Sequence, residues 1–262
     1  MKLSYEIHGS GEPLLLIHGL GSAATAWKPV LPLLTTQFQV ITVDLPGHGK
    51  TPLQQGIALH PAALSTYVAR TLDELDIEQF HVVGNSLGGW VALELAAALP
   101  ERVKSVIGLA PAGLWLAPYN SRVPGATTAR FMAKPLHKVS PHLLKNKWAK
   151  KIGFGTVSPL WEQLSLETCV DAANAMGTSE GYFPVWDSFM GLRFEKNIDS
   201  SIPITIIFGD SDNTLPVRTS QERSLVPAHA KWIVLPQCGH APMWDNTEKV
   251  AQEIFLTSGI SQ

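Results

Sequence analysis

The chain is poor in what would tie it to nucleic acid, metal or membrane. Charged residues make up 16% of its 262 positions, and the formal net charge is −2. There is no basic surplus to neutralise a phosphate backbone, which excludes nucleic acid as the main partner. Cysteine occurs twice, at Cys169 and Cys238. The two lie far apart and match no metal-ligand spacing, so both are expected free and reduced, with no metal site and no disulfide framework. The opening residues Met1-Lys2-Leu3-Ser4-Tyr5-Glu6 lack the apolar stretch of a signal peptide. No apolar run reaches the length that crosses a bilayer. A cytoplasmic protein without stable membrane insertion is the expectation. Internal repeats and low-complexity tracts are missing as well.

What is present is a large apolar fraction, 45%, enough for one sizeable α/β domain with an insertion. Residues 3–8 and 13–17 read as strands joined by a hairpin turn at 9–12. The second of them is apolar throughout, as a strand buried on both faces must be. A helix is expected over 24–35, a strand over 39–43, a helix over 61–75 with Leu64, Val68, Leu72 and Leu75 at helical spacing, and a strand over 103–109. This alternation predicts a mostly parallel, doubly wound sheet covered on both faces. The rhythm stops after Ala110. Residues 111–201 show no βα unit, and a structureless loop of that length is implausible inside a compact domain. They read as an inserted helical cap, with helices near 127–137, 141–152 and 164–176. The core would then comprise 1–110 and 202–262, resuming with a strand over 202–208, a helix over 216–225, a strand over 231–235 and a helix over 246–256.

The stretch Val82-Val83-Gly84-Asn85-Ser86-Leu87-Gly88-Gly89 organises the rest. It joins an apolar strand over 80–83 to an Ala/Leu-rich helix over 87–99 through a turn with one serine at its apex. The letters Gly-x-Ser-x-Gly alone are weak; strand before and helix after are what give them weight. Such a turn strains the serine backbone and demands small neighbours, which Gly84 and Gly88 supply. The helix start sets free amides and positive potential beside the hydroxyl.

A serine hydroxyl needs a base to become a nucleophile at neutral pH. His240 directly follows the last strand in a Gly/Pro-flanked loop and is the candidate. A third group must hold the imidazole. The loop Gly209-Asp210-Ser211-Asp212 offers two carboxylates, either of which would also serve to cap a helix. Asp212 lies deeper and is preferred over Asp210. An oxyanion needs amide donors, and those of Leu87 and Leu20 are suitably placed.

With these pieces in view, the chain resembles the α/β-hydrolase superfamily over essentially its whole length. The matching segments are His18-Gly19-Leu20-Gly21, Asp44-Leu45-Pro46-Gly47-His48-Gly49, the Ser86 turn, Gly209-Asp210-Ser211-Asp212 and Gly239-His240-Ala241-Pro242. In the family pattern the acid is the aspartate three after the glycine, which again selects Asp212. Serine at 86 sets aside the aspartate-nucleophile dehalogenases and epoxide hydrolases. The resemblance implies acyl transfer to water with Ser86, Asp212 and His240 as triad, no cofactor, and a small-molecule ester as substrate.

Trp115, Phe183, Trp186 and Met190 of the cap, with Met243 and Trp244, are candidates for lining an apolar acyl pocket. The first reading is a carboxylesterase. The second is a carbon–carbon bond hydrolase of diketone-type ring-cleavage products; Asn85 resembles that group, but Ala241 stands where it has Trp. The third is a small-molecule sensor on the same scaffold. The basic stretch Lys145-Asn146-Lys147-Trp148-Ala149-Lys150-Lys151 reads, on sequence alone, as a solvated face rather than a lipid contact.

Overall fold

A computed structural model describes residues 1–122 and 124–260. Its strands are β1 (Ser4–His8), β2 (Glu12–Ile17), β3 (Phe38–Asp44), β4 (Phe80–Asn85), β5 (Val103–Leu109), β6 (Ile204–Gly209) and β7 (Lys231–Leu235). They form one sheet in the order β1-β3-β2-β4-β5-β6-β7. Only β1 runs antiparallel to its neighbour; every other pair is parallel. The helices are α1 (Leu31–Leu34), α2 (Pro61–Asp73), α3 (Leu87–Ala98), α4 (Pro124–Leu136), α5 (Ser140–Leu143), α6 (Lys147–Phe154), α7 (Leu166–Thr178), α8 (Tyr182–Phe189), α9 (Val217–Ser220), α10 (Pro242–Asp245) and α11 (Thr247–Ser258).

Alternation along the strands divides the apolar residues between two faces. Leu15, Ile17, Val82, Val106 and Ile206 join one core with α2 and α3. Leu14, Leu16, Val83, Ile107 and Ile207 join the other with α1 and α11. The doubly wound sheet follows directly from this two-sided burial.

The expected hairpin is corrected. β1 and β2 do not pair, because β3 lies between them: Ser4 stands opposite Asp44, and Glu12 opposite Phe38. Gly9 (φ 72°) and Gly11 (φ 125°) make the turn, and a side chain on Gly11 would collide with the backbone of Gln37. The turn thus crosses the chain leading into β3. Fully apolar β2 gains a strand on each side, and half-exposed β1 is left at the edge.

Three expected helices are shorter than predicted. Residues 24–35 form a 3₁₀ turn, Ala24–Trp27, and then α1, because Pro29 and Pro32 interrupt a continuous helix. Residues 141–152 divide into α5 and α6 at Asn146, whose side chain accepts from the Trp148 amide at 2.9 Å and caps α6. Residues 216–225 give α9 and a 3₁₀ turn, Arg223–Leu225. Between β5 and β6 the chain is helical. Its outer helices share a small core of Leu144, Phe154, Leu164 and Cys169. Val185 and Phe189 of α8, with Trp115, instead enter the main core.

His18 and His48 are buried beneath this layer, with ring centroids 5.4 Å apart. His18 Nδ1 donates to the Gly19 carbonyl at 2.7 Å, and its Nε2 accepts from the Leu45 amide at 3.0 Å. That pattern requires the neutral ring. Burial holds His18 down at about 4 and His48 at about 3. Both folded values lie below the ordinary value of about 6.5, so the unfolded chain takes up protons first. Their contribution to stability is therefore complete above that value and is lost as pH falls toward the folded values. Urea midpoints should start dropping below about pH 6.5, before most carboxylates titrate. Constant midpoints between about pH 7 and pH 5 would contradict it.

Candidate active site

β4 delivers Ser86 to the turn at the carboxyl end of the sheet. The Ser86 backbone has φ 55° and ψ −116°, a strained conformation for a residue with a side chain. Two close approaches enforce it. A Cβ on Gly84 would collide with the Gly88 carbonyl, and one on Gly88 with the Ile17 carbonyl. The strand, the turn and the β2 loop are therefore packed backbone to backbone.

The loops after β6 and β7 bring the other two groups. His240 Nδ1 donates to Asp212 Oδ2 at 2.8 Å. The Asp212 side chain is fully buried while the ring keeps 12% exposure. Asp212 Oδ1 accepts from the Thr214 and Leu215 amides, each at 2.8 Å, so one carboxylate both caps the next turn and holds the imidazole. Because a carboxylate only accepts, Nδ1 carries the hydrogen and Nε2 is left with a lone pair. Asp210 is exposed and accepts from the Ser211 hydroxyl instead.

Asn85 connects the two halves. Its side-chain amide donates to the Leu109 carbonyl at 3.0 Å and to the His240 carbonyl at 2.9 Å. The residue preceding the serine thus holds the backbone of the histidine. Ser86 Oγ and the His240 ring form no hydrogen bond in this structure; hydrogen bonds of this kind commonly tighten only when substrate is bound. Leu87 opens α3, and the Gly19–Leu20 turn abuts Ser86, with Gly19 placed so that a Cβ would lie 3.0 Å from the serine Cβ. Among the described residues, neither the Leu20 nor the Leu87 amide donates to a protein acceptor. Both are available to a developing oxyanion.

The pocket candidates divide. Trp186 is partly buried and packs in the same cluster as Leu20 and Tyr119. Its Nε1 is buried without a partner. Trp115 is a core residue, donating from Nε1 to the Leu192 carbonyl at 3.1 Å and meeting Trp90 edge-on. Phe183 is partly buried between Phe131 and the Arg122 guanidinium. Met190 is partly buried. Met243 is buried in the second core, and Trp244 beside it donates to the Ala26 carbonyl at 2.8 Å.

Several contacts escaped the sequence reading. The His240 amide donates to the Val157 carbonyl at 2.8 Å, so the segment between β5 and β6 holds the histidine loop. Ser158 donates to Asp245, whose other oxygen accepts from the Gly239 amide at 2.7 Å. Burial raises the Asp245 carboxyl, and the two donors oppose that rise. A carboxylate five positions past His240 was the available signal; Val157 and Ser158 carried none. Tyr182 and Met176 close over Gly21, leaving no room for a side chain there.

The model of the alpha/beta hydrolase family matches residues 14–253. A pimeloyl-[acyl-carrier protein] methyl ester esterase of Legionella pneumophila (strain Paris) is 28% identical over 98% of this chain and 97% of its own length. The dihydrolipoyllysine-residue acetyltransferase component of the acetoin cleaving system of Pseudomonas putida is also 28% identical, over 96% of this chain and 65% of that protein. A meta-cleavage product hydrolase from Pseudomonas fluorescens IP01 has the same fold, with a TM-score of 0.74 at 21% identity, over 98% of this chain and 94% of that one. Sheet order, serine turn and family match agree: the chain belongs to the alpha/beta hydrolase family.

Proposed function

We propose that this hydrolase is a serine esterase that transfers an acyl group to water through Ser86. The observation that carries the reading is the buried Asp212–His240 hydrogen bond, 2.8 Å long, on loops tied by Asn85 to the serine turn. His240 Nε2 takes the Ser86 proton as Oγ attacks the ester carbonyl. The Leu20 and Leu87 amides hold the resulting oxyanion. His240 then gives that proton to the departing alkoxide, and water repeats the sequence on the acyl-serine. Asp212 fixes the tautomer and stabilises the imidazolium. No metal or cofactor enters these steps.

Residues 111–201 act in this reading as a cap on a core formed by 1–110 and 202–262. Tyr182 and Met176 overlie Gly21 of the oxyanion loop, and Trp186 and Tyr119 pack, as Leu20 does, against the main core. An acyl group of small or medium size is therefore favoured. The methyl ester esterase name of the Legionella relative, which matches over nearly its full length, supports ester cleavage over carbon–carbon cleavage.

The test uses purified protein and p-nitrophenyl esters of graded acyl length. Turnover should begin with a burst, as an acyl-enzyme accumulates. Specificity should rise by about fourfold per added methylene until the pocket is full. A fluorophosphonate should label Ser86 and stop turnover. Labelling without ester turnover would favour the carbon–carbon bond reading, and turnover indifferent to the fluorophosphonate would overturn the assignment.

A further inference from the structure

Residues 102–161 contain no aspartate or glutamate. Within that span Lys134, Lys138, Lys145, Lys147 and Lys151 are exposed, and among the described residues none has a carboxylate partner. Elsewhere the pattern is opposite. Every lysine outside the span, from Lys2 to Lys249, forms an ion pair, and Lys104 at its sheet end pairs with Glu12. Lys150 turns inward, to the Glu162 and Leu164 carbonyls at 2.9 and 2.6 Å. Among the described residues the exposed lysines without a carboxylate are thus collected on α4, α5, α6 and the turns between them, whereas the exposed arginines without one, Arg70, Arg218 and Arg223, are scattered over other elements.

The same elements carry the largest apolar exposure. Trp148 is 73% exposed, Ile152 70% and Phe131 65%, with Met132, Val139 and Leu143 exposed beside them. Trp148 and Ile152 are four residues apart on α6 and share its outer face. Phe154 lies on the inner one and joins Leu144, from the end of α5, in the small core. The Lys151 ammonium lies 5.9 Å from the Trp148 ring centroid. α4, α5 and α6 all pack on α7, so their other faces point away from the body of the protein. Trp, Phe and Ile ringed by lysine on short helices is the composition of an interfacial segment. A merely solvated face would not need the tryptophan or the isoleucine. A second copy of this face would bring lysine against lysine.

We propose that the outer face of α4 to α6 docks on an anionic lipid surface, with Trp148 and Ile152 in the headgroup region and the lysines on lipid phosphates. No described helix is long and apolar enough to cross a membrane, so the contact is with the surface. The proposal goes beyond the hydrolytic reading and does not depend on it, since binding is measured without turnover and Ser86→Ala should bind like the native chain.

The experiment is co-sedimentation of the full chain with vesicles of phosphatidylcholine alone and of phosphatidylcholine with phosphatidylglycerol. Binding is expected only to the second, and it should weaken as salt is raised. Replacing Lys145, Lys147 and Lys151 by Gln should weaken binding about fivefold per lysine. Trp148→Ser with Ile152→Ser should abolish it. Both variants should keep the native circular dichroism spectrum and thermal midpoint, which shows that they fold. Equal binding to both vesicles, native binding by the variants, dimerisation through this face, or affinity for an acidic protein but for neither vesicle would each overturn the proposal.

Discussion

Ser86→Ala is expected to reduce kcat on any p-nitrophenyl ester by about 10⁵-fold or more while leaving the thermal midpoint almost unmoved. The size follows from what is removed. In the proposed mechanism no acyl-enzyme forms without Oγ, and His240 has no proton to accept. What remains is water attack on an ester held by the Leu20 and Leu87 amides, worth about 10³-fold over the uncatalysed reaction. Stability should hold because, among the described residues, the hydroxyl has no hydrogen-bond partner, and alanine keeps the Cβ against Gly19. The backbone strain at φ 55° is retained as well. Ser86→Gly separates the two effects. It should be equally inactive but more stable, by about 1 kcal/mol, because glycine accepts positive φ without penalty. Circular dichroism melts and initial rates on the three proteins decide the matter. An active Ser86→Ala protein, still blocked by a fluorophosphonate, would move the nucleophile elsewhere.

The parts of this arrangement that the sequence displayed are those written in contiguous residues. A strand of Val82 and Val83, a glycine on either side of Ser86 and a helix beginning at Leu87 are local, and the close backbone approaches at Gly84 and Gly88 leave a mark in residue type. The chain order of Ser86, Asp212 and His240 is equally visible. Pairings across distance were not. Nothing in residues 3–17 says that β3 will slip between β1 and β2; that depends on which strand needs two neighbours, a property of the assembled sheet. Pro29 and Pro32 stand in the sequence, and they break the expected helix over 24–35 into a 3₁₀ turn and α1. The clasp of Val157 on His240 is a main-chain bond, and a carbonyl oxygen has no signature in the sequence. Asn85 shows an intermediate case: its identity stood out, but its partner, the His240 carbonyl, is 155 residues away.

Asp212→Asn should cost about 10⁴-fold in kcat, and the neighbouring Asp210→Asn no more than about twofold. The difference comes from burial and partners. Asp212 receives three hydrogen bonds and its side chain is fully shielded, whereas Asp210 is solvated and meets only Ser211. An amide at 212 has one acceptor oxygen. If that oxygen faces the Thr214 and Leu215 amides, the NH₂ faces His240 Nδ1, which must then become the acceptor. The ring hydrogen moves to Nε2, the atom that should receive the serine proton, and the base is lost in place. If the amide turns the other way, its NH₂ confronts two backbone N–H groups and the loop after β6 must open. The first arrangement predicts native-like stability with a rate that recovers at alkaline pH, where hydroxide takes over from the histidine. The second predicts a lower thermal midpoint as well. Measuring kcat against pH together with the melt distinguishes them. A larger loss in Asp210→Asn than in Asp212→Asn would transfer the role to the exposed carboxylate and break the link between buried geometry and catalysis on which the esterase reading stands.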